Sequence, residues 1–245
     1  MQAIILAAGM GKRLKELTAD NAKCMVKVNN TALIERLLRQ LENKGLTKIV
    51  VVVGYKADLL TDYINSLGCK VKIEFVENSI FDQTNNIYSL ALAKHYLTED
   101  DTLLFESDLI FEEDLITQLL QDDRDTLAVV DKYDDWMDGT CLKLSDADEI
   151  TQFIPGTEFD EKEKASYFKT VNVYKFNKTF SEKLYVPYLD DFIEKHGANQ
   201  YYEKVLAEII KLDNPMIKAK RLSGQRWYEI DNAADLAVAE NMFKE

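Results

Sequence analysis

Cysteine and histidine are scarce in this chain of 245 residues. The three cysteines, Cys24, Cys69 and Cys141, lie far apart, without the spacing of a metal site. The two histidines, His95 and His196, are too few for a zinc cage. We therefore expect free thiols in a reducing compartment and no zinc site.

Long apolar runs and linker-type segments are also lacking. The first apolar run, Ala3–Ala8, is too short for a signal peptide or a membrane span, and glycines and cations follow it at once. Three prolines and nine glycines provide no flexible linker. These absences predict a single cytoplasmic domain, residues 1–245, with no membrane partner. We expect a monomer or weak homodimer.

Basic residues are fewer than acidic ones in this chain. Lysine and arginine number 30 against 43 aspartates and glutamates, which gives a formal net charge of −13. Such a surface repels nucleic acid and anionic lipid, so we expect no nucleic-acid partner. An anionic ligand therefore needs a local cluster of cations.

What the sequence does contain is an alternation of strands and helices over its first half. Apolar runs that stop at loops are typical of buried parallel strands, and helical spacing of leucines separates the first two runs. Thr31 is a possible cap for that first helix, and Gly45 is expected to end it. The pattern predicts an α/β fold with a doubly wound, mainly parallel sheet. The predicted strands are Gln2–Leu6, Lys48–Val53, Val71–Val76 and Thr102–Phe105, and the further helices are Ala57–Leu67 and Asn86–Tyr96.

The pattern changes after about Lys143. Two runs separated by a polar stretch indicate antiparallel strands inserted in the same domain. The late run Trp227–Ile230 predicts a last strand, which brings Asp231 to the edge of the sheet. The elements expected here are strands Glu149–Ile154 and Phe168–Phe176 and helices Tyr185–Lys195, Tyr201–Lys211 and Ala233–Phe243.

A glycine-containing loop follows the first strand. Gly9 and Gly11 allow backbone N–H groups to approach an anion, and Lys12 and Arg13 supply charge. A dinucleotide fingerprint would need glycine at position 14, and a Walker loop would need it at position 6, but both are leucine. The loop predicts a phosphate site of another kind, although two glycines alone also fit a tight strand exit.

The segment Leu6–Leu14, followed by Leu17-Thr18 and Lys23, resembles the signature loop of the nucleotidylyltransferases. These enzymes join a nucleoside triphosphate to a phosphorylated acceptor and release pyrophosphate. The resemblance implies a Rossmann-like, GT-A-type fold in which Arg13 contacts the β and γ phosphates and Lys23 reaches the reacting phosphate. The nucleotide-binding residues it implies in this loop are Leu6, Ala8, Gly9, Gly11, Lys12, Arg13 and Lys23.

Lys12 and Ala22 stand where the sugar-1-phosphate branch of that family usually has Ser or Thr and Pro. With the segments Thr84–Leu90 and Trp227–Asp231, the chain looks closer to cytidylyltransferases that use phosphocholine or 2-aminoethylphosphonate. The resemblance implies CTP as donor and a small phosphorylated or phosphonate acceptor. A sugar-1-phosphate nucleotidylyltransferase and a non-catalytic nucleotide-sensing module remain the alternatives.

Asp108 and Asp231 each follow an apolar run that ends at the carboxyl edge of the predicted sheet. Beside a triphosphate, two such carboxylates are expected to hold Mg²⁺, with Asp108 counted as catalytic together with Lys23 and Arg13. Asp231 is also placed to cap the last helix. Glu106 and Glu229 alternate with these aspartates and are expected on the other face, as second-rank candidates.

The remaining site predictions concern the base and the acceptor. Asn85 and Asn86 open a helix and are predicted to bind the nucleotide, although helix capping explains them equally well. The acidic, aromatic segment Asp131–Gly139 is predicted to hold an ammonium group of the acceptor, or else to be a solvated turn with Trp136 in the core. The predicted acceptor residues are Ser89, Asp131, Tyr133, Trp136, Asp138, Lys169 and Glu229.

The two main parts of the predicted domain are expected to bind different substrates. Residues 1–130 are expected to bind mainly the nucleotide, and residues 131–226 mainly the acceptor. Residues 227–245 are expected to add a closing strand and helix.

Overall fold

The computed structural model describes residues 1–14 and 17–244 in full and the backbone of residues 15 and 16. In chain order the strands are β1 (Gln2–Ala7), β2 (Lys27–Val28), β3 (Thr31–Ala32), β4 (Ile49–Val53), β5 (Ile73–Glu77), β6 (Thr102–Glu106), β7 (Leu109–Phe111), β8 (Leu127–Lys132), β9 (Cys141–Leu144), β10 (Ile150–Ile154), β11 (Phe168–Phe176), β12 (Lys218–Arg221) and β13 (Trp227–Glu229). The α-helices are α1 (Leu33–Leu41), α2 (Ala57–Ser66), α3 (Asn86–Leu92), α4 (Lys94–Glu99), α5 (Asp114–Gln121), α6 (Lys178–Phe180), α7 (Val186–His196), α8 (Glu203–Ile209) and α9 (Ala233–Met242).

The parallel part of the sheet is built around β1. This strand pairs with β4 on one side and β6 on the other, and β5 extends the sheet beyond β4. The chain thus moves outward from β1 to β4 and β5 and then returns to the other side of β1. Such a reversal is the switch point at which open α/β sheets bind ligands, and the predicted mainly parallel sheet is confirmed.

The second half of the chain adds antiparallel strands to the same sheet. β11 runs antiparallel to β6, β8 and β9, and β10 continues the sheet beyond β9. This long strand therefore joins the parallel part to the later strands. The predicted antiparallel pair of runs is present, with β9 between them.

Two apolar layers cover the sheet, because successive side chains of a strand point to opposite faces. On one face Ile5, Val51 and Phe105 pack with α1 and α5. On the other face Ile4, Val52 and Leu104 pack with α3, α7 and α8. Burying each such side chain contributes about 1.5–3 kcal/mol, which explains why the apolar runs of β1 and β4 form the centre. No helix of the described residues is both long and apolar enough to cross a membrane.

Two helix predictions need correction. Thr31 does not cap the first helix, because it lies in the short β2–β3 hairpin and the helix begins at Leu33. The same helix ends at Leu41, before Gly45. The predicted helix Asn86–Tyr96 is two helices, which meet at Ala93.

The late strand is present but does not join the main sheet. β13 pairs antiparallel with β7, and these two strands form a separate small sheet. Asp231 is not the cap of the last helix either. Asn232 holds that position, and its side chain and that of Asp235 form a reciprocal capping box.

Candidate active site

A cleft of about 850 Å³ opens at the carboxyl ends of β1 and β6. Its volume suits a small-molecule ligand, and its position is the switch point of the parallel sheet. Residues from both halves of the chain line it. Among them are most of the predicted site residues: Leu6, Ala8, Gly9, Gly11, Lys12, Arg13, Lys23, Asn85, Asn86, Ser89, Asp108, Asp138, Lys169, Glu229 and Asp231.

The loop after β1 forms one wall of the cleft. Gly11 has φ +60, a left-handed conformation that favours glycine, and a Cβ there would lie 2.9 Å from Cβ of Lys23. The hydroxyl of Thr18 donates to the Gly11 carbonyl at 3.0 Å. Gly11 is therefore needed both for the turn and for the close approach of Lys23.

Lys23 joins the two aspartates. Its Nζ donates to Asp108 Oδ2 and to Asp231 Oδ1, each at 2.6 Å, and Arg13 contacts the other Asp231 oxygen at 2.7 Å. Burial disfavours the charged ammonium, but attraction to the two carboxylates outweighs it and raises the pKa of Lys23. The backbone N–H of Ile230 donates to the Asp108 carbonyl at 2.9 Å, which holds the two aspartate segments side by side.

Glu229 completes a group of three carboxylates. One oxygen each of Asp108, Glu229 and Asp231 lies within 4.8 Å of the others. Asp108 Oδ1 is buried and has no hydrogen-bond partner among the described residues. Oxygen ligands at this spacing, with one buried acceptor unused, suit a hard divalent cation.

The expectation that Glu106 and Glu229 face away from the aspartates was wrong. Both glutamates line the same cleft as Asp108 and Asp231. Residues two positions apart share a face of an extended chain, so alternation along a strand gave no reason to place the glutamates on the other face. In the structure Glu106 ends β6 and Asp108 lies in the turn that follows, whereas Glu229 ends β13 and Asp231 lies two residues beyond it.

A second acidic group lies beyond the aspartates. Burial raises the pKa of Glu106 and of Glu203, and burial together with nearby Asp108 raises the pKa of Glu229 to about 7. Lys169 is 4% exposed and lies 3.9 Å from Glu229. Three carboxyl groups and one lysine therefore share this end of the cleft, and a cation bound among them would favour the charged form of the carboxyl groups.

The predicted helix-opening asparagines have defined local partners. Asn85 Oδ1 accepts from the Asn86 N–H at 2.9 Å, as a helix cap. Asn86 Nδ2 donates to Glu106 at 3.0 Å, and its Oδ1 accepts from the Tyr202 N–H at 3.0 Å. Asn86 thus connects the start of α3 to Glu106 and to the start of α8. Ser89 is buried and accepts from Asn78 at 3.1 Å.

Three predicted acceptor residues do not reach the cleft. Trp136 stacks on Tyr228 with ring centroids 4.2 Å apart. Asp131 accepts a hydrogen bond from the indole N–H of Trp227 at 2.7 Å, and Tyr133 packs on Phe159. These side chains are used in packing, and Asp138 is the predicted acceptor residue of that segment that does line the cleft.

Sequence reasoning missed several residues of the far wall. Glu203 begins α8 and has no local pattern that separates it from other surface glutamates. Asn172 lies within β11 with φ +58, a conformation that no sequence signal revealed. The turn around Gly139 and the Pro155-Gly156 turn carried a glycine or proline signal, but nothing in it indicated the cleft.

A parallel sheet with a glycine loop after its first strand, and with carboxylates and a lysine at the switch point, defines a nucleotide-binding α/β domain. Residues 3–200 match the model of the MobA-like NTP transferase domain, and the chain belongs to this family of nucleotidyltransferases. The resemblance seen in residues 6–23 is confirmed.

Two of the relatives match nearly the whole chain, and a third matches about half of it. The chain is 32% identical to the CTP:phosphoglutamine cytidylyltransferase of Campylobacter jejuni, over 97% of this chain and 98% of that protein. It is 35% identical to the 2-aminoethylphosphonate cytidylyltransferase of Lancefieldella rimae, over 47% of this chain and 46% of that protein. The structure of the CTP:phosphocholine cytidylyltransferase of Streptococcus pneumoniae matches with a TM-score of 0.79 and 26% identity, over 99% of each chain. The GT-A-type fold is confirmed.

Proposed function

We propose that the protein transfers CMP from CTP to a small phosphorylated amino alcohol or aminophosphonate and releases pyrophosphate. The observation that carries this proposal is the convergence of the Gly11 loop, Lys23 and the two aspartates in one cleft. CTP as the donor is supported by the cytidylyltransferases among the relatives. Phosphocholine and 2-aminoethylphosphonate are the acceptors to test first.

The reaction needs no protein nucleophile. An oxygen of the acceptor phosphate or phosphonate forms a bond to the α-phosphorus as the bond to the pyrophosphate oxygen breaks. The chain's task is to position both substrates and to offset charge on the phosphorus oxygens. In this proposal the glycine loop and Arg13 hold the β and γ phosphates, and Lys23 lies at the reacting phosphate.

Mg²⁺ is the proposed cofactor. Asp108 and Asp231, with Glu229 beside them, would hold it, and the unpartnered buried oxygen of Asp108 supports this fit. When bound, Mg²⁺ neutralises charge on the triphosphate and orients it.

An amino group on the acceptor is supported by the three carboxyl groups at the end of the cleft that contains Glu203, because a bound ammonium would stabilise their charged forms. A primary ammonium donates hydrogen bonds to carboxylates, whereas a trimethylammonium prefers an aromatic box. The aromatic side chains among the described lining residues are Phe81 and Tyr201. Because Trp136 and Tyr133 lie elsewhere, we propose that a primary amine is preferred over a quaternary one.

Pyrophosphate release measured with each of four nucleoside triphosphates and a panel of acceptors tests the proposal. The panel contains 2-aminoethylphosphonate, phosphocholine, a sugar 1-phosphate and an alkyl phosphate. We expect turnover with CTP and the highest kcat/KM with the primary amine. Preference for the sugar 1-phosphate would reject the proposed acceptor class, and nucleotide binding without turnover on any acceptor would favour a sensing module.

A matched pair of variants on α8 tests the amine. Glu203→Gln removes a carboxylate from the cleft, whereas Glu208→Gln removes an exposed one from the same helix. We expect Glu203→Gln to raise KM for 2-aminoethylphosphonate by about tenfold, as a lost charge-assisted hydrogen bond does, and to change KM for the alkyl phosphate little. Equal losses for both acceptors would contradict recognition of the amine by Glu203.

A further inference from the structure

Asn172 has a backbone conformation that is unusual inside a strand. Six non-glycine residues of the described chain have positive φ, and Asn172, at φ +58, is the one that lies within a strand. The others lie in turns, loops or at a helix start. The pairing of β11 with β8 changes register between Thr170 and Tyr174, so Asn172 lies at this irregularity. Asparagine adopts positive φ more readily than most residues, and backbone outliers of this kind cluster at active sites and ligand clamps.

The side chain of Asn172 lies on the wall of the cleft, although only 7% of the residue is exposed. Its neighbours Val171 and Val173 are fully buried in the apolar layer on one face of the sheet. A solvated turn therefore does not explain the asparagine. The residue is nearly buried, and it lines the cleft.

The hydrogen bonds around Asn172 fix the orientation of its amide. Lys169 Nζ donates to the Thr170 carbonyl at 2.9 Å and to the Thr170 hydroxyl oxygen at 3.4 Å. The Thr170 hydroxyl in turn donates to Asn172 Oδ1 at 2.8 Å. Since the amide oxygen is used in this way, the NH₂ group points away from Thr170, and it donates to no other described residue.

We propose that Asn172 binds the acceptor, its amide NH₂ donating to an oxygen of the phosphate or phosphonate group beside Lys169. This inference rests on the proposed function. One hydroxyl separates the lysine from the asparagine, so their donors line adjacent positions on the same wall. Thr170 is a positioning residue, because it sets the amide orientation without needing to contact the acceptor.

Glycine is the informative substitution at this position. Asn172→Gly removes the amide and keeps a residue that adopts positive φ without strain. Asn172→Asp keeps the shape and the bond from Thr170 but turns a carboxylate oxygen toward an anionic acceptor. The matched control is Asn30→Gly, which makes the same change at φ +68 in the exposed turn of the β2–β3 hairpin.

We expect Asn172→Gly to raise KM for 2-aminoethylphosphonate about tenfold, as loss of a hydrogen bond to a charged group does, and to leave KM for CTP within about twofold. Asn172→Asp should raise the acceptor KM further, and Asn30→Gly should change neither constant. The melting temperature of Asn172→Gly should stay near that of the wild type. An unchanged acceptor KM in Asn172→Gly, or an equal rise for CTP, would overturn the inference.

Calorimetric titration with 2-aminoethylphosphonate separates this inference from the proposed function, because it requires no turnover. Wild-type protein that releases no pyrophosphate with any acceptor would reject the proposed function. Weaker binding to Asn172→Gly than to the wild type would still support the role of Asn172. Equal binding to both proteins, or binding to neither, would refute it.

Discussion

Lys23 is the cation whose removal has the clearest consequence for stability. Its ammonium contacts two carboxylates at 2.6 Å each, and the three side chains are only 14–17% exposed. Lys23→Met keeps the apolar stem and leaves Asp108 and Asp231 facing each other. Removing one partner of a buried ion pair costs roughly 3–5 kcal/mol, and the residual exposure favours the lower end. For a domain of this size, about 3 kcal/mol lowers the melting temperature by about 6–12 °C.

Thermal unfolding without divalent cations measures this loss, with Lys44→Met as the control. Lys44 is equally covered, at 15% exposure, but its carboxylate partner Glu113 is 56% exposed. A pair of that kind contributes about 0–1 kcal/mol. We expect the control to melt within about 3 °C of the wild type, and we expect Mg²⁺ to stabilise Lys23→Met more than the wild type.

The pH dependence of the melting temperature gives a second check on the contribution of Lys23. The pKa of Lys23 is raised above its ordinary value of 10.5, so its contribution is complete below that pH and is lost only as the pH rises through the raised pKa. Lys23 itself therefore adds no pH dependence to the difference between Lys23→Met and the wild type from about pH 6 to about pH 9. A dependence near neutral pH is expected from Glu229, because its pKa of about 7 is lowered in part by the charge of Lys23. A melting temperature as close to the wild type as that of Lys44→Met would refute the reasoning.

Three further predictions concern the cleft and its surroundings. Asp108→Asn and Asp231→Asn should each lower kcat at least ~100-fold at saturating Mg²⁺ in the pyrophosphate assay, and near-normal turnover would remove that residue from the metal site. Arg13→Ala should mainly raise KM for CTP, because its side chain is 63% exposed at the cleft and would bind phosphates equally in ground and transition states, whereas Lys23→Met should mainly lower kcat. If both variants changed only KM, Lys23 would not lie at the reaction centre. Trp136→Ala should destabilise the fold by about 2–3 kcal/mol in chemical denaturation, less than a fully buried ring, because it removes the stack on Tyr228. The ratio of KM values for charged and uncharged acceptors should not change in that variant, and a selective loss for the charged acceptor would restore Trp136 to the acceptor site.

Short sequence patterns predicted those parts of the cleft whose conformation depends on residues close by in the chain. The apolar runs of β1 and β4 indicate buried parallel strands, since both faces of each strand are covered. Gly11 is predictable because a tight exit from β1 needs positive φ. Asp108 follows from the same logic, because β6 ends two residues before it at the edge where ligands bind.

The far wall of the cleft and the contacts of Trp136 could not be predicted in this way. Trp136 finds its stacking partner Tyr228 far along the chain, and no local signal distinguishes that contact from a binding role. Glu203 enters the cleft because α8 packs beside α7 in the second apolar layer. Asn172 depends on a shift of register between two strands. Each of these positions is set by packing between distant segments.

Asp231 lies in the cleft, as predicted, but the strand pairing that was expected to bring it there was different. The strand before it was expected in the main sheet, whereas β13 pairs with β7 in a separate sheet. Because β7 directly follows Asp108, that pairing brings the end of β13 back to Asp108. The small β7–β13 sheet therefore brings Asp231 to the cleft, which the predicted edge strand was expected to do.

Two pairs of acidic residues line the cleft, one at the end of β6 and one at the end of β13. Glu106 and Asp108 lie two positions apart at the end of β6, and Glu229 and Asp231 lie two positions apart at the end of β13. Both members of each pair line the cleft, and the Ile230 N–H bond to the Asp108 carbonyl holds the two segments side by side. The aspartates contact Lys23, and the buried glutamates extend the acidic group toward Lys169 and Glu203. A substitution at one glutamate therefore changes the field at the neighbouring aspartate, so the charges at the proposed metal site and at the proposed acceptor site cannot be tuned independently.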